Sequence, residues 1–139
     1  MAEQSGEVEQ AIRSAVEAMA RSDIEALERT TSRDTGVLSI GSDADEWAEG
    51  YDEITRLLRA SGPEAEMGVT PGVEEVKGYS EGSVGWGAAR GYFEMEGKRV
   101  PVRMTAVLHK ENGDWKMVQA HASIGVPNDR MMDPMFTGG

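Results

Sequence analysis

The stretch Arg103-Met104-Thr105-Ala106-Val107-Leu108-His109-Lys110-Glu111-Asn112-Gly113-Asp114-Trp115-Lys116-Met117-Val118-Gln119-Ala120-His121-Ala122-Ser123-Ile124 decides the fold. Two β-rich runs flank Asn112-Gly113, the pair favoured in two-residue type I′ hairpin turns because both positions need a positive φ. With Asn112 and Gly113 as the loop, Glu111 pairs with Asp114, Leu108 with Met117 and Met104 with His121. One face then carries Val102, Met104, Ala106, Leu108, Met117, Gln119, His121 and Ser123, with its polar groups gathered toward one end. The other carries Arg103, Thr105, Val107 and His109 with Lys116, Val118, Ala120, Ala122 and Ile124. Apolar residues on both faces predict cover on both, helices on one side and a second subunit on the other. A three-residue loop would swap this pairing.

Working outward, Ser83–Met95 places Val84, Trp86, Ala88 and Tyr92 on one parity and Gly85, Gly87, Ala89 and Gly91 on the other. A face without side chains lets another element approach closely or lets the strand bend. Met67–Lys77 reads as a strand interrupted by Pro71 and Gly72, hence an edge or a bend. Before Pro63 the chain is helical. Val8, Ala11, Ile12, Ala15, Val16 and Met19 recur at helical spacing. Ser22 and Glu25 form a capping box for a second helix ending near Thr30. Tyr51, Ile54, Leu57 and Leu58 mark a third, stopped by Ser61-Gly62-Pro63. Between the last two, Val37, Leu38 and Ile40 read as a short strand followed by the loop Gly41–Asp45. Helices first and strands later predict an α+β domain. It spans residues 1–125, with a tail over 126–139 that is either flexible or docked on a partner subunit through Met131, Met132, Met135 and Phe136.

Composition narrows the function. The 139 residues make one domain, with 14 Lys and Arg against 25 Asp and Glu for a formal charge of −11. That charge repels nucleic acid and anionic lipid. The absence of cysteine excludes disulfides, thiolate nucleophiles and Cys-ligated metals, and fits a cytoplasmic setting. No apolar run reaches the roughly 18 residues that span a bilayer. Neither Gly-x-Ser-x-Gly, a Walker loop nor His-Glu-x-x-His occurs, and nothing fixes a metal or an organic cofactor.

Val37–Trp47 with Gly50, and then Arg103-x-Thr105 followed by Gly113-Asp114-Trp115-Lys116-Met117-Val118-x-x-His121-x-Ser123, resemble the SnoaL-like branch of the nuclear transport factor 2-like superfamily over about Val8 to Ser123. The resemblance implies a cystatin-like cone: three N-terminal helices packed on a strongly curved, mixed, mostly antiparallel sheet, a cavity at the open end and usually a homodimer. It also implies a choice of roles, from isomerase, cyclase or dehydratase chemistry to ligand binding or assembly alone, so fold does not transfer function. Enzymes of the isomerase and cyclase type use a cavity carboxylate as base; the hairpin strands offer none on the presumed cavity face, where His121 is the ionisable group.

His121 is accordingly the candidate general acid or base, with Asp45 or Glu46 as its orienting carboxylate. The alternative for His121 is a buried hydrogen-bond network with Gln119 or Ser123, and for the acids a solvated loop or helix cap. Trp47, Tyr51, Trp86, Met104, Met117, Gln119 and Ser123 are the candidate ligand-binding residues, the tryptophans as aromatic walls or as ordinary core. The expectation is an apolar cavity for a small apolar or aromatic ligand. It serves a proton-transfer enzyme or, alternatively, a non-catalytic binding or dimerisation module.

Overall fold

The computed structural model describes residues 1–60, 70–95 and 97–134. In chain order the elements are β1 (Glu3–Gln4), α1 (Gly6–Ala20), α2 (Ile24–Thr30), β2 (Leu38–Ile40), β3 (Trp47–Glu49), α3 (Tyr51–Ala60), β4 (Thr70–Glu81), β5 (Val84–Met95), β6 (Lys98–Glu111) and β7 (Asp114–Ile124), with a 3-10 turn at Asn128–Arg130. The described strands form one sheet in the order β1-β4-β5-β6-β7-β2-β3. Among the described strands β2 and β7 pair in parallel and the other strand pairs are antiparallel. The three helices and the mixed, mostly antiparallel sheet are those expected. Ser61-Gly62-Pro63, Met67 and the pair Met135 and Phe136 lie outside the described residues.

Helix α1 starts at Ser5, whose hydroxyl accepts the Val8 N–H at 3.2 Å. Its inward stripe Val8, Ile12 and Ala15 is buried, and Val8 and Ile12 join Ala89, Met104, Ala106 and Leu108 in the central core. The glycine face of β5 is what admits the helix. A Cβ on Gly87 would stand 2.6 Å from Ile12 Cδ1, and one on Gly85 would stand 2.7 Å from Val8 Cγ2. Two smaller clusters, Ala15–Ala18–Leu27 and Val37–Ala48–Ile54, seat α2 and α3. Removing most of a fully buried side chain such as Ile12 costs about 2–5 kcal/mol.

Three details depart from the expected elements. The cap of α2 is Asp23, whose Oδ1 accepts from the Ala26 N–H at 3.2 Å, while Ser22 takes a positive φ of 54°. Strand β3 occupies Trp47–Glu49, to which the sequence assigns no element, and β1 adds an unforeseen two-residue strand to β4. Pro71 sits where β4 has β5 alone as a neighbour, because β1 reaches only Tyr79 and Ser80; the edge reading of the proline holds.

The hairpin turn is as read, with Asn112 at φ 53° and Gly113 at φ 87°, and Glu111 opposite Asp114. The pairing of Leu108 with Met117 holds too. One residue further the register shifts, Val107 pairs with Gln119, and Val118 is left as a β-bulge. Beyond it every partner is displaced by one: Met104 faces Ala122, Thr105 faces His121 and Arg103 faces Ser123. The bulge therefore reverses the two faces of β7 relative to the expected assignment. Ala120 and Ala122 join Met104 on the helix side, and His121 and Ser123 join Thr105 and Arg103 on the other.

Candidate functional site

A cavity of about 240 Å³ opens between the sheet and the helices. Val16 and Met19 of α1, Leu57 and Leu58 of α3, and Val102 and Met104 of β6 give it apolar walls; Ala120 and Ala122 of β7 form part of its floor. Its polar end is built by Ser39 of β2 and by the connection after that strand, where Gly41, Ser42 and Glu46 line the space. This connection is tightly held. The Gly41 N–H donates to the Glu46 carbonyl at 2.7 Å, and the Glu46 N–H donates to the Asp43 carbonyl at 3.0 Å.

Glu46 is half-buried and brings a carboxylate to the cavity wall. Oε1 accepts the Asp43 N–H at 3.1 Å, and the side chain lies against Gly41, where a Cβ would stand 2.7 Å from Glu46 Cβ. Arg90 also borders the cavity, but its guanidinium is engaged by Glu75, with Nε to Oε2 at 2.9 Å and Nη2 to Oε2 at 2.6 Å. Hydrogen bonding and the charge of Arg90 hold the Glu75 carboxyl below its ordinary range. Glu46 is thus the acidic side chain that lines an otherwise largely apolar space.

The remaining candidates scatter. His121 is exposed, stands across from Thr105 and beside Ile40, and faces away from the helices. Among the described residues no hydrogen bond joins it to Asp45 or Glu46, so the expected dyad is not assembled within this chain. Asp45 is exposed and donates its backbone N–H to Asp43 Oδ1 at 3.0 Å, a loop role. Trp47, 61 % exposed, lies on the outer side of β3 with its Nε1 donating to Glu49 at 3.3 Å. Trp86 stacks on Tyr79 with centroids 6.4 Å apart on the same outer side. Tyr51 lies in a separate polar cleft, its hydroxyl donating to the Glu28 carbonyl at 3.4 Å and accepting from Arg33 Nη2 at 3.2 Å. Met104 lines the cavity. Met117 and Gln119 border a smaller hollow beside it, and Ser123 faces outward across from Arg103.

Sequence reasoning missed the walls from α1 and α3 and the alanines of β7. A signal for the alanines exists. Apolar residues run Trp115, Met117 on one parity and then Val118, Ala120, Ala122, Ile124 on the other, and this change of phase marks an inserted residue. Among the described residues no group of three or more His, Asp or Glu side chains could hold a metal ion. No helix there is long and apolar enough to cross a membrane.

Helices on one side of a mixed sheet with a cavity between them define a cystatin-like, NTF2-like fold, and solved structures agree. A Pseudomonas putida NTF2-like protein of unknown function superposes with a TM-score of 0.74 at 13% identity, covering 91% of this chain and 93% of its own. A cystatin-like fold protein from Burkholderia xenovorans gives 0.71 at 17% identity, over 91% of this chain and 100% of the other. A candidate dehydratase of the NTF2-like family from Streptomyces avermitilis gives 0.70 at 20% identity, over 87% and 95%. Within that fold the chain belongs to the SnoaL-like domain family, whose pattern matches residues 8–127. Comparison with the curated proteins gives no match.

Proposed function

We propose that the protein binds a small, largely apolar organic molecule in the cavity between helices and sheet, and that Glu46 is the group that exchanges a proton or a hydrogen bond with it. The observation that carries this reading is a carboxylate at the wall of an apolar space. An apolar cavity of about 150 Å³ holds a benzene molecule, so 240 Å³ accommodates a compound of one or two rings or an equivalent chain. With one oxygen held by the Asp43 N–H, Glu46 has a fixed orientation, and its carboxylate can accept a proton from a carbon acid or hydroxyl and return it. That is the chemistry of an isomerase, cyclase or dehydratase, the last also being the description of the Streptomyces neighbour. Glu46 takes over the part first sought in His121.

The test is a thermal-shift screen with small carbonyl and aromatic compounds, each hit being re-examined by mass spectrometry after incubation. Conversion of a stabilising compound by the wild type, lost in Glu46→Gln, supports proton-transfer catalysis. Stabilisation with the compound recovered unchanged supports the binding module. A broad panel that produces no stabilisation overturns the cavity reading.

Pairing of two copies through the outer face of the sheet belongs to the same proposal. The exposed Trp47 and the Tyr79–Trp86 stack supply apolar area there. Light scattering of the wild type and of a Trp86→Glu variant tests it: a dimer reduced to a monomer by the substitution supports pairing, and a wild-type monomer at all concentrations overturns it.

A further inference from the structure

Beside the main cavity lies a second hollow of about 60 Å³. Met19, Ser39, Leu58, Met104 and Ala120 line both spaces. Two of these side chains are short, so the partition consists of Met19, Leu58 and Met104. Methionine is unbranched and changes rotamer cheaply, which makes the wall movable. Beyond it the hollow is bounded by apolar groups including Ala15, Leu27, Ile54 and Met117. Of the hydroxyls that border it, Thr31 donates to the Leu27 carbonyl at 2.7 Å and Thr30 to the Ala26 carbonyl at 3.0 Å, while Ser39 borders both spaces. This end suits hydrocarbon. Glu46, Gly41 and Ser42 border the main cavity alone, so the carboxylate is confined to the other end.

We infer that the ligand is an amphiphile, with an uncharged or cationic head at Glu46 and an unbranched hydrocarbon tail that passes Met104 into the smaller hollow, and that Met104 sets the tail length accepted. The inference rests on the cavity reading above and adds to it the shape and polarity of the occupant. A carboxylate at the head end disfavours an anionic head. The 60 Å³ beyond the partition corresponds to about two methylene groups, taking each as roughly the 30 Å³ that a water occupies in the liquid.

The 1-alkanols from butanol to decanol, titrated by calorimetry into the full chain, test this. Affinity is expected to rise about fourfold per buried methylene up to a cut-off length. Met104→Phe should shorten that cut-off by about two carbons and Met104→Ala should lengthen it by a similar amount, while alkanoic acids of matched length bind more weakly than the alcohols. Met104 is buried, so Met19, 42 % exposed, provides a second variant that leaves the core intact, Met19→Ala, with the same expected direction. A cut-off identical in the wild type and all variants overturns the role of Met104. Binding of ring compounds without binding of any alkanol overturns the tail and leaves the cavity reading standing, whereas binding of neither overturns both.

Discussion

The backbone N–H of Gly41 donates to the carbonyl of Glu46 at 2.7 Å, and the Glu46 side chain folds back over the glycine it has just bonded. The two residues close the turn between β2 and β3 and place the carboxylate at the cavity wall in one step. Gly41→Ala puts a methyl group 2.7 Å from Glu46 Cβ and must drive that side chain away. The expected outcome is a loss of about 1–3 kcal/mol in stability, as for other overpacked sites, together with loss of the ligand response that Glu46→Gln also removes. Urea unfolding and the thermal-shift screen, run side by side on both variants, check it.

Gly87 gives a second, purely structural prediction. A methyl there runs into the Lys77 carbonyl of β4 and comes 2.6 Å from Ile12 Cδ1, so the β4 backbone and the α1 side chain must both give way. Gly87→Ala should lower unfolding stability by about 1–3 kcal/mol. Gly6→Ala, at a position with nothing within 4 Å, should be neutral or stabilising by up to about 1 kcal/mol. Opposite signs in the two variants, read from chemical denaturation midpoints, establish that crowding at Gly87 is the cause.

His121→Ala is expected to leave the cavity undisturbed. The ring is exposed on the face turned from the helices, so stability should stay within about 0.5 kcal/mol and the ligand response should match the wild type. A ligand response abolished in His121→Ala but intact in Glu46→Gln would reverse the assignment of the two residues.

Acid should weaken the fold through two surface pairs. The Glu75 carboxyl is held below its ordinary range by its hydrogen bond from Arg90 and by that residue's charge, and Glu7 likewise by the Trp115 indole and the charge of Lys110. A folded-state value below the unfolded one means that the unfolded chain binds more protons, so stability rises with pH across that interval. The contribution is complete above the unfolded value of about 4.3 and fades as pH falls through the lowered folded value. Both carboxylates are solvent-exposed, so the slope should be shallow and should shrink in high salt. Thermal midpoints from pH 7 to 3, with Glu75→Gln as the comparison, should show a flatter acid limb in the variant.

Elements and faces differed in how readable they were. The Asn112-Gly113 turn fixed two φ values, and the helical spacing of Val8, Ile12 and Ala15 fixed a buried stripe, because each depends on local chemistry alone. The glycines of β5 predicted close approach and received α1, a contact written into the missing side chains. The site was less legible because a single extra residue, Val118, changes which way everything after it points. Parity counted from the turn puts His121 on the helix side, and parity does not survive a bulge. Glu46 was named for its neighbourhood, as a partner to His121. What gives it a role is the folded Gly41–Glu46 turn together with the β7 wall that the pairing of β2 with β7 sets beside it, a contact across most of the chain.

That parallel pairing carries a consequence for the order in which the molecule comes into being. Ser39 meets Ala120 and Ile40 meets His121, partners about eighty positions apart in the sequence. The helices and the β5–β6 ribbon contain mostly local contacts and can form as the chain is synthesised, but the floor of the cavity is absent until β7 arrives. A nascent chain halted before Ala120 carries the Glu46 turn without the wall it faces. Ligand binding therefore reports on completion of the last strand, and a compound that occupies the cavity acts as a selective stabiliser of finished molecules over unfinished ones.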